Sequence, residues 1–418
     1  MTSSLKKFLK SIGPGLLFAS MAIGTSHLVM STKAGAQYGW IMVFPIILAN
    51  ILKYPFFEFG VRYTNVTNKT LIEGYLNRGK GYLWFYAIIT LVSTFTILAA
   101  LYIVTSGLFI NLFKISEVSV SIIALCLFSL ISLLLIVGKY SFLEKSLKYV
   151  VSLLLFAVLT TTILVIFKGQ VAQAPNFTPS PILNEVGILF LIGLMGWMPT
   201  TVEASSWISL WSKEKWQIQG DKPSLKESLR EFNIGYLITA ILAVFFLIIG
   251  WLTLYGTNTV LSSSAITFAD QIVTLFTIHI GQWAYIFISV AAFATMFSTC
   301  MTAHDAIARV SIDILQLLST KIKKQNSKKL FPVSVLILAV INFVVIAAFG
   351  ANMGQLVALA TFVSFVVAPI IGFMNLKNVL SSELHEEQKP KKGLLLLSYT
   401  GIIFLSLFSI YYFWLIII

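Results

Sequence analysis

Residues 13–40 read GPGLLFASMAIGTSHLVMSTKAGAQYGW. The stretch begins as an apolar helix, is interrupted at Gly24-Thr25-Ser26-His27, and then resumes. A membrane helix satisfies its own backbone groups, so a break of this kind leaves carbonyls and amides that need other partners. The stretch therefore predicts an interrupted membrane helix with a polar site at the break.

A second stretch corresponds to the first. Residues 187–196 read GILFLIGLMG and residues 15–24 read GLLFASMAIG, so both run from one glycine to another and share Leu and Phe. The second continues as Trp197-Met198-Pro199-Thr200, and the proline predicts a second break. Two interrupted helices at matching places are typical of a transporter whose binding site lies at mid-membrane. Because glycine is common in membrane helices, two ordinary packing helices are the alternative interpretation.

The composition indicates a membrane protein. Hydrophobic residues make up 58% of the chain, charged residues 11%, and the mean hydropathy is +0.90. A chain of this kind must place most of its surface in lipid, which excludes a water-soluble domain. The two cysteines, Cys126 and Cys300, form neither a disulfide framework nor a zinc signature.

Eleven hydrophobic segments are predicted to cross the membrane, most of them close to the ~20 residues that one crossing needs. Their approximate bounds are 12–34, 38–61, 82–111, 117–137, 146–167, 183–211, 232–255, 266–317, 331–350, 353–376 and 394–418. The 266–317 segment is longer than one crossing, so we expect a membrane core at 283–309 after a short amphipathic lead-in.

The basic residues predict an orientation. With a cytoplasmic N-terminus, every lysine and arginine lies on the cytoplasmic side except Lys114 and Lys168 in outer loops and Lys33 and Lys53 within segments. This is the positive-inside pattern of a multi-pass protein, which we expect in a bacterial inner (plasma) membrane. Topology and anionic lipid explain the net charge of +13, so no nucleic-acid partner is expected. The short loops leave no room for a catalytic domain.

Ionisable side chains inside the segments are candidate functional residues, since a charge costs about 2.5–3.5 kcal/mol to insert at mid-membrane. They are His27 and Lys33 on the first segment, Lys53 and Glu58 on the second, Glu203 on the sixth, and His304 and Asp305 on the eighth. Lys53 and Glu58 are interpreted as a structural pair or as snorkelling side chains.

The eighth segment leaves two interpretations open. Arg309 follows Asp305 by four positions, which suits an ion pair on a helix surface. His304 and Asp305 are therefore either structural or, with Glu203, part of a proton route.

Met198 is a candidate metal ligand. A methionine in a membrane helix usually serves packing, but Met198 stands directly before the proline of the second break. Its thioether is a soft donor that favours transition metals over Mg2+ or Ca2+, and His27 in the first break is a suitable nitrogen donor. With the freed carbonyls, these two residues predict a transition-metal site.

The sequence resembles the Nramp (natural resistance-associated macrophage protein) family of divalent-metal transporters. The resemblance begins at Gly13-Pro14-Gly15 and includes AGAQYG at 34–39, similar to the family's QAGAxxGY. It continues at TNKTLIE (67–73), similar to the family's TGK-x-LAE, at Met198-Pro199, similar to its Met-Pro-His, and at Ser298-Thr299. It covers most of the chain.

The resemblance implies an all-α membrane protein with a LeuT-like fold. That fold has two inverted five-helix repeats, here 12–167 and 183–376, with the first and sixth of about eleven transmembrane helices unwound at the centre. An extra helix, 394–418, would complete a single domain, 1–418. The implied activity is secondary active transport of divalent metal ions such as Mn2+ or Fe2+ by alternating access, and whether it is coupled to protons stays open. The protein would be no enzyme, its partner would be the lipid bilayer, and it would need no cofactor because the metal is cargo. The oligomeric state stays open.

The departures from the family fall at the site. The family's Asp-Pro-Gly-Asn lines up with Gly24-Thr25-Ser26-His27, so the metal-binding aspartate is Gly24 and the asparagine is His27. Met198 keeps the family's methionine, and Met195 stands where a backbone carbonyl is a ligand. Met198, His27, Gly24 and Met195 are therefore the predicted metal ligands.

The remaining lining residues are also inferred by resemblance. Thr200 replaces the family's histidine, Phe362 lines up with a glutamine ligand on the tenth helix, and Thr25 belongs to the first break. The third helix lacks the acidic residue of the family's proton route.

The lost aspartate leaves a second function open. A dehydrated divalent cation needs charge compensation in a low-dielectric site, which Glu203 or Asp305 would have to supply. Without it, the alternative is a diverged carrier of another solute, such as Mg2+ or a small organic or anionic substrate, since half-helix N-termini can hold anionic groups. A third hypothesis, a non-transporting sensor or structural protein, is disfavoured because the short loops hold no signalling domain.

Overall fold

The structure is a computed structural model that describes residues 13–115, 117–257, 259–323 and 325–417. Within these ranges the chain forms helices and no β-strand. The N-terminal lysines Lys6, Lys7 and Lys10, and also Lys324, which the orientation prediction used, lie outside the described residues.

The helices are numbered in chain order. They are α1 (Pro14–Ala22), α2 (Thr32–Tyr38), α3 (Val43–Thr67), α4 (Leu71–Arg78), α5 (Lys80–Phe113), α6 (Val120–Lys168), α7 (Glu185–Trp197), α8 (Ala204–Gln219), α9 (Leu225–Leu254), α10 (Ala265–Ile280), α11 (Tyr285–Leu318), α12 (Thr320–Lys323), α13 (Ser327–Ala348), α14 (Met353–Val379) and α15 (Lys392–Ile417). A π-helical turn, Ser26–Ser31, precedes α2, and short 3-10 turns occur at Trp40–Met42, Gln282–Ala284 and Glu386–Gln388.

The membrane-crossing helices agree with the sequence pattern. In the described ranges, nine spans are long and apolar enough to cross a bilayer, and ten if α1 and its bent continuation count as one. The predicted fourth and fifth segments correspond to two apolar parts of α6, Val120–Gly138 and Tyr149–Lys168. The predicted sixth segment forms α7 and α8, which are each too short to pass the same test.

Both predicted interruptions are present. α1 ends at Ala22, the chain resumes with the π-helical turn, and the two parts are bent by 41°. α7 ends at Trp197 and α8 begins at Ala204, with the Met198–Pro199 peptide bond cis in the gap. Proline at 199 has no N–H to continue the helical ladder, so the break is encoded locally.

Glycines let α1 and α2 pack directly on the backbone of α9. A Cβ atom on Gly15 would lie 2.7 Å from the Glu231 carbonyl oxygen, and one on Gly35 would lie 2.1 Å from the Leu247 carbonyl oxygen. A side chain at either position would therefore force the helices apart, and such small-residue contacts are a common way to join membrane helices.

The loops rich in lysine and arginine meet at one end of the bundle, here termed the basic end. There Lys69 and Arg78 contact Glu383, and Lys213 contacts Glu73. The loops whose lysines and arginines the sequence analysis placed on one side of the membrane thus also meet at one end of the structure. Which end faces the cytoplasm stays a prediction.

Candidate functional site

A small cavity lies where the two helix breaks meet. Its volume is about 20 Å³, which is room for about one water molecule or a small dehydrated ion. It is lined by Thr25 and Ser26 of the first break, by Trp197, Thr200 and Thr201 at the second, and by Met21, Ile97, Leu101, Trp207, Thr299 and Ala303. All of these side chains are buried, so the cavity lies inside the helix bundle.

The polar atoms around the cavity are neutral. The Thr200 hydroxyl lies 3.9 Å from the Met21 sulfur, and the Thr25 hydroxyl lies 3.9 Å from the Met296 sulfur. Among the described residues no group of three or more His, Cys, Asp and Glu side chains is placed to hold a metal ion. Hydroxyl and thioether groups are therefore the donors that the cavity offers.

Gly24 is packed against α11. A Cβ atom on Gly24 would lie 2.6 Å from Thr299 Cγ2 and 2.9 Å from its hydroxyl oxygen. The Gly24 carbonyl accepts hydrogen bonds from the His27 and Leu28 amides at 3.1 and 2.9 Å. The Thr299 side chain thus fills the place where the family alignment puts an aspartate.

His27 points away from the cavity toward α9. Its Nε2 lies 2.8 Å from the Thr239 carbonyl oxygen, and its Nδ1 lies 2.7 Å from Ser26 Oγ. Because a carbonyl can only accept, Nε2 carries the proton and donates it. His27 is not among the residues that line the cavity, both of its ring nitrogens have hydrogen-bond partners, and it ties the first break to α9.

Lys53 corrects the sequence interpretation. Its ammonium donates to the carbonyl oxygens of Met195 at 3.0 Å, Gly196 at 2.8 Å and Thr200 at 3.0 Å. The side chain is 0% exposed, so it does not snorkel. It does not pair with Glu58 either, since that carboxylate bonds to Arg62.

This arrangement caps the second break. The break frees the last carbonyls of α7, and each hydrogen bond from a charged donor contributes about 1.5–3 kcal/mol. The sequence shows that a lysine lies in the middle of the second segment. Its hydrogen-bond partners could not be predicted, because they depend on how α3 faces α7. The Met195 carbonyl, a predicted metal ligand, is occupied by this ammonium. Met198 is fully buried and its side chain is not among those lining the cavity.

Glu203 lies beside the second break, at the N-terminus of α8. It is buried, and its carboxylate accepts hydrogen bonds from the Ser93 and Thr201 hydroxyls. A carboxylate is favoured at a helix N-terminus. The residue thus places a buried carboxyl group beside the second break.

His304 is held outside the cavity. Its Nδ1 lies 2.8 Å from the Tyr102 hydroxyl and its Nε2 lies 3.0 Å from the Val335 carbonyl oxygen. Both nitrogens are therefore used to join α11 to α5 and α13.

Asp305 also serves a structural contact. It accepts from the Trp211 indole at 2.9 Å and from Arg309 at 2.8 Å, so the predicted ion pair with Arg309 is present. The structure therefore brings Glu203 to the break but leaves His304 and Asp305 outside the cavity lining.

Phe362 does not face the breaks. Its ring packs on Tyr412 of α15, with 4.7 Å between the ring centroids. On α14, Thr361 and Phe365 pack on Gly196 near the end of α7, and Ser364 accepts from the Trp197 indole at 2.8 Å. Phe362 therefore faces α15, whereas its neighbour Thr361 faces α7.

A bundle of membrane helices around a buried cavity at two helix breaks is typical of a membrane transporter. Residues 15–415 match the family model described as Natural resistance-associated macrophage protein-like, or Nramp. The chain therefore belongs to the Nramp family. Members of that family are transporters and not enzymes, so this chain is a multi-pass transporter embedded in a lipid bilayer.

Relatives and solved structures agree with this assignment. An uncharacterized protein of Pasteurella multocida is 32% identical over 96% of this chain and 91% of its own. The divalent metal cation transporter MntH of Staphylococcus saprophyticus is 25% identical over 61% of this chain and 58% of its own. The structure of a mutant manganese transporter of Eremococcus coleocola superposes with a TM-score of 0.71 at 16% identity, covering 97% of this chain and 86% of that one. The predicted all-α membrane protein with a LeuT-like fold is confirmed.

Proposed function

We propose that this protein is a secondary active transporter that moves a divalent metal ion of the Mn2+ or Fe2+ class by alternating access. The observation that carries the proposal is the buried cavity at the meeting point of the two breaks in an Nramp-family chain. The metal specificity is supported by relatives, because MntH is named a divalent metal cation transporter and the Eremococcus coleocola protein a manganese transporter.

Soft and neutral donors would bind the cargo. Met21 already lines the cavity, and Met198 lies in the second break, so a small movement of that break can bring a second thioether to the ion. Thioethers favour transition metals over Mg2+ or Ca2+. For the Met195 carbonyl to become a ligand, the Lys53 ammonium must first leave it.

Charge compensation falls to Glu203. The missing aspartate would otherwise leave a divalent ion in a neutral, low-dielectric site, which is costly. Glu203 is buried at the second break and is the predicted proton-route residue that lies there. We therefore assign the coupling proton, if metal entry is proton-linked, to Glu203 rather than to His304 or Asp305.

The test is Mn2+ uptake into proteoliposomes, with and without an inward proton gradient. Wild-type protein is expected to show saturable uptake. Met21→Ala and Met198→Ala should each raise the KM about tenfold or more, since the loss of one ligand worth about 1.4 kcal/mol changes affinity tenfold. Met374→Ala, which truncates a buried methionine outside the cavity lining, is the control. Folded protein without uptake above protein-free liposomes would contradict the proposal.

A second candidate cargo is a solute other than a transition metal. Two observations favour it: the Lys53 ammonium at the second break, and the Thr299 side chain in the place of the family's aspartate. A fixed positive charge repels cations and attracts an anionic or polar organic solute. A thermal-stability screen of metals, anions and small organic solutes separates the two. Stabilisation by transition metals alone would exclude this second candidate.

A further inference from the structure

Three backbone carbonyls converge on one point at the second break. Those of Met195 and Gly196 come from the last turn of α7, and that of Thr200 comes from within the break, before α8 begins at Ala204. All three lie 2.8–3.0 Å from a single atom, the Nζ of Lys53. The end of α7 and the break itself therefore share one cationic partner.

A set of this kind has the chemistry of a cation site. Carbonyl oxygens coordinate small cations, and the C-terminal end of a helix carries a partial negative charge. In membrane helices that are broken at mid-depth, unwound carbonyls and half-helix C-termini are the groups that hold coupling cations. Here an ammonium with three N–H donors satisfies the three oxygens.

The surroundings keep this ammonium in place. Lys53 is 0% exposed, and the three carbonyl oxygens are its hydrogen-bond partners. A buried lysine without such partners would be strongly unfavourable.

We propose that the carbonyls of Met195, Gly196 and Thr200 form a subsite for a small monovalent cation, and that Lys53 fills it as a covalently tethered ion. The break is then held together by a cation that is covalently part of the chain. The wild-type protein consequently needs no free monovalent cation to keep the two halves of its sixth helix in register.

Chemical rescue tests this assignment. In Lys53→Ala, the full-length protein loses the ammonium and leaves a space that methylammonium can enter. We expect a lower thermal midpoint than wild type, restored by methylammonium in a saturable manner. Tetramethylammonium, which has the same charge and no N–H donor, should have no such effect at equal ionic strength.

Two further variants serve as controls. Lys33→Ala removes another lysine of a membrane helix, one whose ammonium lies 5.5 Å from the Phe268 ring centroid. It should show no saturable response to methylammonium. Lys53→Met retains an unbranched side chain of similar length, so it should be destabilised and not rescued, because its own atoms fill the space.

Each outcome decides the proposal. It is overturned if Lys53→Ala is unaffected by methylammonium, if tetramethylammonium restores it equally, or if Lys33→Ala responds in the same way. It is also overturned if Lys53→Ala cannot be recovered folded even with methylammonium present throughout purification. The readout is stability rather than uptake, so the result is independent of whether Mn2+ is the cargo.

Discussion

The contact between Gly24 and Thr299 shows how one residue changes the site. A Cβ atom on Gly24 would lie 2.6 Å from Thr299 Cγ2, closer than van der Waals contact allows. The Thr299 hydroxyl is anchored in turn, 3.0 Å from the Ser20 carbonyl oxygen and 3.0 Å from that of Thr295. The first break and α11 therefore fit together only because position 24 has no side chain.

A double-mutant cycle should reveal this fit. Gly24→Ala is expected to destabilise the protein by about 1–3 kcal/mol, the usual effect of overpacking. In Gly24→Ala/Thr299→Ala the obstructing atoms are gone, so the double variant should be less destabilised than the sum of the single variants. Thermal unfolding in detergent measures the cycle. Additive single effects would mean that the two residues do not press on each other.

Sequence analysis was most accurate for residues whose structural role depends only on their neighbours along the chain. Gly24 and Pro199 mark the two breaks because helix interruption depends on the residue itself and its neighbours. The hydrogen-bond partners of His27 and Lys53 could not be predicted, since they lie on α9 and α7, which are distant in the sequence. Such contacts are set by how whole helices face one another.

At the scale of elements, α1 is clamped at the basic end by Glu231 of α9. The carboxylate accepts hydrogen bonds from the amides of Gly13 at 2.6 Å and Gly15 at 2.9 Å. These are among the amides that a helix N-terminus leaves without intrahelical partners, and negative charge is favoured there. Glu231 thus holds the first half of the broken helix closed against α9.

Weakening this clamp should loosen α1. Glu231→Gln keeps an acceptor but removes the charge, which weakens such hydrogen bonds by about 1 kcal/mol. Amide hydrogen exchange in Pro14–Ala22 should therefore become about fivefold faster. Glu185→Gln, at an exposed glutamate at the start of α7, is the control and should leave α1 unchanged. Equal exchange in Glu231→Gln and wild type would show that the clamp does not restrain α1.

Helix rotation explains the error at α14. Phe362 and Thr361 are adjacent, and neighbouring positions differ by roughly 100° around a helix. An alignment that is displaced by one residue therefore selects Phe362, which faces α15, instead of Thr361, which faces α7. The length and polarity of a segment are visible in the sequence, whereas its rotation depends on packing.

For the whole molecule, we propose that the cavity at the two breaks opens alternately to each side of the membrane. The breaks are in direct contact, since Ser26 Oγ lies 3.2 Å from the Pro199 carbonyl oxygen. In this structure the residues lining the cavity are buried, and movement of α1 or α8 relative to the surrounding helices would open it toward the basic end. Secondary transporters with broken helices work through such movements around a fixed site.

The most direct test is the accessibility of a cysteine at Thr200, a cavity-lining residue whose hydroxyl a thiol replaces with little change in size. Cys126 and Cys300 are first replaced by serine, and vesicles are treated with a membrane-impermeant thiol reagent on one face or the other. Ser398→Cys, at a buried position of α15, is the control and should react from neither face. If the cavity opens alternately to each side, Thr200→Cys is expected to react from both faces. Reaction from one face only, or from neither, would contradict alternating access at this site.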